Sequence, residues 1–379
     1  MERNATRMFN ANKFKLGLFG MNCNGGLTMT KAPERWDQSW ANNLRAARLA
    51  EDAGLGFLLP IGRWHGYGGE TDTEGTTWET LTWATGLLAA TRDISTFGTL
   101  HVSFANPVFA AKQMVTADHV GGGRFGINIV SGWNEGEFAM FGIDLLEHDE
   151  RYAYSEEWVE IVKRVWSETT PFDYSGKYFN LRGVLGKPKP VGGSRPLLMS
   201  AGSSTAGRSF AARHADCLFM NIFDLDALSK DVADLRATAP DRAPGVYASG
   251  HIISRATKKE TDEYYHYIVH EQGDWDAAEH IVSIRISGGG RSIPPELVRK
   301  MTERHVSGIG TMPIVGTYDE VAALFKRMSD AGLEGIAIGL VHYVDEFPIL
   351  RDEILPRMER LGLRHPFDKQ VEAVREDVS

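Results

Sequence analysis

Four groups of residues in this chain have chemistry beyond what folding requires. Ala201-Gly202-Ser203-Ser204 leads from an apolar run into a helical pattern. Such a turn offers free backbone N–H groups, hydroxyls and the positive end of a helix dipole, which together suit a phosphate. Arg151 can add a bidentate clamp to the same group. Asn128 is the lone polar residue in the apolar run 125–130, and Trp64, Phe104, Trp133 and Tyr152 could wall a planar aromatic ligand. Each group also has an ordinary explanation, as a capped helix with a surface arginine or as packed core aromatics. His148 lies among acids and reads as a solvated or ion-paired side chain. No H-E-x-x-H, clustered metal-ligand spacing, G-x-S-x-G elbow or Walker loop is present, so no metal is expected. Gly121-Gly122-Gly123 precedes its strand instead of following it, which excludes a dinucleotide fingerprint.

These groups must be positioned by elements whose ends converge. Apolar runs bounded by glycine and polar turns predict strands over 15–20, 57–61, 94–100, 125–130, 197–200, 216–220, 247–253 and 335–340. Helical patterns follow them over 40–53, 77–91, from Pro107, 155–166, 204–213, 317–331 and 348–361, with a small hairpin over 172–179. Strand–helix alternation of this kind predicts an α/β protein, a (β/α)8 TIM barrel, with an open doubly wound sheet as the alternative. The stretch 258–312 is long for a connection and is broken by Gly288-Gly289-Gly290, so it is expected to be an insertion, a lid between strands seven and eight. A single domain is expected over 1–379, with its core at about 14–362 and a charged tail over 368–379. Ligands of barrels bind at the carboxyl ends of the strands. There the fold gathers Asn22 to Asn24, Gly62-Arg63, Thr99, His101, Asn128 and Trp133, while Glu137, His148, Arg151-Tyr152, Ser203-Ser204 and His342 join from loops.

Composition narrows the class. The net charge is −9 and no basic run or stripe appears, which argues against nucleic acid and anionic membranes. Two cysteines, Cys23 and Cys217, are too few and too far apart for a disulfide framework. No apolar run reaches the ~18 residues of a membrane span. Met-Glu-Arg-Asn carries no signal segment, so a cytoplasmic protein is expected.

Gly-Gly-Arg-Phe-Gly-Ile-Asn-Ile-Val-Ser-Gly-Trp at 122–133, followed by His-Asp-Glu-Arg-Tyr at 148–152, resembles the bacterial-luciferase-like flavin monooxygenases. The likeness is nearest the pyrimidine and dimethylsulfone monooxygenase subgroup; it runs from about 14 to about 362 and is weakest over 258–312. It implies FMN as cofactor, delivered as FMNH2 by a separate flavin reductase, and dioxygen as co-substrate. It further implies attack by a flavin peroxide on a small catabolic substrate, with cleavage of a C–N or C–S type bond. Carried over by position, the flavin-holding residues are Gly62, Arg63, Asn128, Glu137, Arg151, Tyr152, Ser203 and Ser204; the subgroup has Ile-Lys where this chain has Gly62-Arg63. The oxygen-side set is Leu59, Thr99, Asn128 and Trp133. Asn22, Asn24, His65, His101 and His342 are substrate candidates, and Arg291 and Arg299 match a mobile-loop arginine of the alkanesulfonate branch only loosely. A homodimer or homotetramer is implied. Within the same barrel family, a riboflavin-degrading lyase, a deazaflavin (F420)-dependent reductase or dehydrogenase and a non-catalytic flavin-binding protein are the alternatives.

Overall fold

The computed structural model describes residues 6–202, 204–237, 244–287 and 293–367; Ser203, Arg291, the Gly288-Gly289-Gly290 break and the 368–379 tail lie outside them. In chain order the strands are β1 (Lys15–Phe19), β2 (Phe57–Leu59), β3 (Ser95–His101), β4 (Phe125–Val130), β5 (Phe172–Ser175), β6 (Asn180–Val184), β7 (Leu197–Ala201), β8 (Cys217–Met220), β9 (Gly245–Arg255), β10 (Met312–Thr317) and β11 (Gly335–Gly339). The helices are α1 (Trp40–Asp52), α2 (Thr80–Ala90), α3 (Pro107–Val120), α4 (Glu135–Met140), α5 (His148–Ser167) and α6 (Thr205–His214). They continue with α7 (Leu228–Ala237), α8 (Lys258–His266), α9 (Trp275–Ser287), α10 (Pro295–Gly308), α11 (Tyr318–Asp330) and α12 (Leu355–Arg360).

Eight strands close a parallel ring in the order β1-β2-β3-β4-β7-β8-β9-β11 and back to β1, the expected (β/α)8 barrel. Alternation along each strand divides the side chains between two cores. Leu16, Leu18, Leu58, Ile127, Ile129 and Ile336 face outward and are buried under the helices. Phe57, Leu59, Phe97, Met199, Tyr247 and Ala337 face inward and fill the barrel.

The inner filling alternates large and small residues. Phe57 packs edge-on against Phe97 and Tyr247, with ring centroids 6.1 and 5.8 Å apart. Glycines on neighbouring strands make room for these rings: a Cβ at Gly17 would lie 2.5 Å from the Phe57 ring, and one at Gly126 2.4 Å from Phe97. This layer is a solid floor beneath the carboxyl-end opening.

Two features depart from the sequence reading. The helix expected over 155–166 begins at His148, and a short α4 occupies part of what reads as an acidic loop. Apolar periodicity starts only near Ser155, because the first two turns of α5 are mostly polar or half-buried, so period alone misses them. The second departure is β10, which lies outside the ring and pairs with residues 250–255 of the 11-residue β9. Pro313 removes a backbone donor and Gly316 a side chain, and such residues are tolerated on an edge strand yet do not read as one. Helices α8 to α10 form a third core with Met29, Tyr67, Ile253 and Val341, so the insertion is anchored at the carboxyl end of the barrel.

Gly126→Ala should drive a methyl group into a ring that has nowhere to go. We expect a loss of about 1–3 kcal/mol, typical of overpacking, read as a lower urea midpoint at unchanged m-value.

Candidate active site

The strand ends surround a cavity of about 250 Å³. Its wall includes Phe19 from β1, Thr99 and His101 from β3, Asn128 and Val130 from β4, Ala201 from β7, Phe219 and Met220 from β8 and Ser249 from β9. Loops add Gly62, Arg63, Tyr67, Glu74 and Trp133, and the insertion adds Arg285, Ile309 and Thr311.

Arg63 organises one side. Its Nε lies 2.9 Å from Glu74 Oε2 and its Nη1 3.1 Å from Glu137 Oε1, with all three side chains nearly inaccessible to solvent. Glu137 Oε1 also accepts the Trp64 N–H at 2.8 Å. The guanidinium rests over Tyr67 at 5.3 Å and over Trp133 at 5.5 Å. Burial opposes the Arg63 charge, but Tyr67, Glu74 and Glu137 more than offset it and raise its pKa. Burial raises Glu74 as well, with Arg63 opposing. Glu74 holds φ +62°, in the left-handed region that non-glycine residues seldom occupy, so the loop is strained where it delivers this carboxylate.

That loop is held by two asparagines. Asn22 accepts the Ile61 N–H at 2.9 Å and donates to the carbonyls of Ile61 at 2.8 Å and Trp78 at 3.3 Å. Asn24 accepts from Thr76 N–H at 2.9 Å and donates to the Thr71 and Asp72 carbonyls at 3.2 and 2.9 Å. Neither lines the cavity, and His65 and His342 do not either. His65 bonds the Gly66 carbonyl at 2.8 Å, and His342 packs on Trp36 and pairs with Asp345.

His101 is the one substrate candidate in the cavity wall. Burial, reinforced by the charge on Arg63, lowers its pKa to about 3, so the imidazole is neutral under ordinary conditions. It stacks on Phe104 at 5.0 Å. His101, Thr99, Gly62 and Arg63 also border a second cavity of about 130 Å³ towards Trp64 and Trp78. Gly62 keeps this partition thin, since a Cβ there would meet Thr99 Cγ2 at 3.2 Å and His101 Cε1 at 3.3 Å.

Thr99 and Asn128 are brought together. Asn128 Nδ2 donates to Thr99 Oγ1 at 3.3 Å, and that hydroxyl donates onward to the Pro60 carbonyl at 2.7 Å. Asn128 Oδ1 is buried with no partner, an arrangement that costs free energy unless a ligand supplies a donor. Trp133 joins them in the cavity wall, whereas Leu59 lies below, in the barrel floor.

The polar cluster at β7–α6 meets this wall at Ala201 and Gly202. Ser204 caps α6 by accepting the Gly207 N–H at 3.1 Å, while Gly202 and Gly207 leave room for the Tyr152 hydroxyl. A Cβ at Gly207 would approach that oxygen to 2.6 Å. Arg151 donates through Nη1 to the Gly132 carbonyl, and its buried Nε has no partner. Arg151 and Tyr152 stand in the first two turns of α5 and not in a loop. His148 pairs with Asp149 at 2.8 Å. Glycine cradle, helix start, hydroxyls and an incompletely used arginine together fit a phosphate.

Tyr67, Glu74 and Arg285 were not singled out from sequence. Tyr67 lies in a glycine- and aromatic-rich loop, which is a weak signal; Glu74 carries none, because its pairing with Arg63 is made inside an irregular loop, and Arg285 none, because its contacts are remote in the chain.

Arg63→Met should leave two carboxylates buried without their cation. We expect a loss of about 3–5 kcal/mol at pH 8. Glu74 already binds its proton more tightly folded than unfolded, so its ionisation costs stability as pH rises above the ordinary carboxylate range. Removing Arg63 widens that window, and part of the loss should be recovered at pH 5, as urea melts at the two pH values would report.

Comparison with known proteins places this geometry. The Luciferase-like monooxygenase family model matches residues 14–335. The chain is 31% identical over 353 residues to an FMNH(2)-dependent dimethylsulfone monooxygenase of Pseudomonas fluorescens (strain Pf0-1), covering 90% of this chain and 93% of the relative. It is 28% identical to pyrimidine monooxygenase RutA of Variovorax paradoxus (strain S110), covering 93% and 96%. The crystal structure of riboflavin lyase (RcaE) shares the fold, with a TM-score of 0.81 at 23% identity over 93% of each chain. With the match spanning nearly the whole barrel, the protein belongs to the luciferase-like monooxygenases.

Proposed function

We propose that the protein is the oxygenase half of a two-component system: it takes up FMNH2 made by a separate flavin reductase and uses dioxygen to oxidise a small catabolic substrate at a C–N or C–S type bond. The observation that carries this reading is the orphaned, buried Asn128 Oδ1 beside Thr99 in a deep cavity that also holds Trp133. Reduced isoalloxazine carries ring N–H groups that satisfy such an acceptor, whereas a packed core would not leave it bare. The relatives' own cofactor and reaction class agree with it.

Bound reduced FMN would supply the two electrons that activate dioxygen. The residues of the chain do the rest. The amino end of α6, Ser204, Tyr152 and Arg151 would hold the phosphate. Thr99 is aligned by the Pro60 carbonyl, and it holds the Asn128 amide by its nitrogen, which leaves the oxygen for a donor on the ligand. Phe19, Ile61, Val130 and Trp133 exclude water, which keeps hydrogen bonds in the cavity strong. His101 stays neutral and can orient a ligand without adding charge. The insertion serves as a lid through Arg285, Ile309 and Thr311.

Anaerobic titration should give tighter binding of FMNH2 than of oxidised FMN. Arg151→Ala should weaken FMN binding by about 2–5 kcal/mol while leaving riboflavin affinity unchanged; equal losses for both ligands would move the phosphate elsewhere. In aerobic turnover with reductase and NADH, Asn128→Ala and Thr99→Val should retain the fold and release hydrogen peroxide with little oxygenated product. Normal product yield per flavin oxidised in both variants, or turnover with deazaflavin in the absence of oxygen, would refute the reading.

A further inference from the structure

Arg285 is an unusual member of the cavity wall. It projects from the last turns of α9, and its guanidinium carbon lies 5.2 Å from the Trp133 ring, which also has Arg63 5.5 Å away. Its situation differs from that of Arg63. Among the described residues it makes no hydrogen bond and no ion pair, and it is an exposed residue that lines the cavity. The two neighbouring carboxylates are already committed, Glu74 and Glu137 both to Arg63.

The backbone turns closely beside this fork of donors. Gly310 adopts φ +78°, and a Cβ there would crowd His305 Nε2 at 2.9 Å and touch Arg285 Nη1 at 3.4 Å. Tyr67 lies in the same wall with 1% exposure, and its buried hydroxyl has no partner. Glu74 acts on Arg285 by its charge, but its hydrogen bond goes to Arg63 and none joins it to Arg285 or Tyr67 among the described residues. A cation with free donors and a buried hydroxyl with no acceptor thus share one wall, both under the insertion.

We propose that Arg285 and Tyr67 form an anion subsite in this cavity, and that the substrate carries a singly charged oxyacid group, a carboxylate or a sulfonate. This rests on the reading that oxidation takes place in the same cavity. The chemistry favours an oxyacid over a neutral polar group. A guanidinium fork presents parallel N–H donors that match two oxygens of one acid group, and the tyrosine hydroxyl supplies a third donor. A neutral ligand would displace water from the arginine without compensating its charge. The apolar remainder of the substrate would lie along Trp133, whose ring the two guanidinium groups hold in place.

The test uses matched isosteres of nearly equal size: methanesulfonate against dimethylsulfone, and propanoate against methyl acetate. Each is titrated anaerobically into the full chain loaded with FMNH2, and affinity is followed by calorimetry. We expect each acid to bind at least about tenfold more tightly than its neutral partner. Arg285→Gln should cut acid affinity by about ten- to a hundredfold, as for loss of a charge-assisted hydrogen bond, while leaving the neutral isosteres unchanged. Arg285→Lys should recover part of it and Tyr67→Phe should lose several-fold. Equal binding of acid and neutral isostere, binding of neither, or an unchanged Arg285→Gln variant would overturn the subsite. So would a fall in FMNH2 affinity of Arg285→Gln with riboflavin binding unchanged, which would make Arg285 a contact of the cofactor phosphate. Failure of the wild-type chain to bind FMNH2 would instead strike the flavin reading, and the loading step reports it separately.

Discussion

The mouth of this barrel depends on one buried ionic contact, Arg63 between Glu74 and Glu137. Taking three charges out of water is expensive, and their attraction offsets the cost only when geometry and extra hydrogen bonds are good. Here they are. Glu137 also takes the Trp64 N–H, and Arg63 rests against two aromatic faces. The contact joins the loop after β2 to α4 after β4, across the ends of β3. Remove it and the wall that carries Tyr67, Trp133 and His101 loses its only ionic tie among the described residues. The left-handed Glu74 fits the same account, since the strain is tolerable where a strong contact over-determines the conformation.

Beneath the ionic layer lies an apolar one, and the two divide the work. The rings of Phe57, Phe97 and Tyr247 against Gly17 and Gly126 plug the barrel, so nothing can enter from below. Above that floor the strands present Thr99, His101, Asn128 and Ser249 to the cavity. Thr99, Asn128 and Ser249 each stand two positions beyond Phe97, Gly126 and Tyr247, and His101 two positions beyond Thr99. Reactive surface is thus confined to a thin layer by the pleat itself.

The barrel was largely legible because its signal is local. Eight short apolar runs, each closed by a polar or glycine-rich turn, mark eight strands, and the capping box at Thr317 and Glu320 forms as read. The start of α5 and the edge strand β10 were not, since neither has an apolar period. Within the site, Asn128 announced itself as a polar break in an apolar strand, and its bare oxygen is what that break signified. Asn22 and Asn24 carried the same polar signal but spend it on neighbouring carbonyls and amides, a distinction that only the folded path of the loop makes. Leu59 was expected in the oxygen-side wall, yet sits in the floor because β2 is only three residues long and its last inward position is still deep. Glu74 gains its meaning from Arg63, 11 residues earlier in an irregular loop with no period to reveal the pairing, and Arg285 from Trp133 and Tyr67, which are remote in the chain.

Strand β9 begins as a stave of the barrel, paired with β8 and β11, and ends as the root of the insertion, paired with β10. It is therefore a cantilever: one continuous beam fixed in the core at one end and loaded with three helices at the other. A beam of this kind does not pivot at its base, because six consecutive paired positions along β10 would have to part together. Flexing is pushed outward to the helices it carries. The part of the cavity walled by the strand ends is then mechanically insulated from the part walled by the insertion, and α9 can exchange its inward residues without disturbing the register of a single stave. A barrel built this way can change what it accepts while leaving intact what it does.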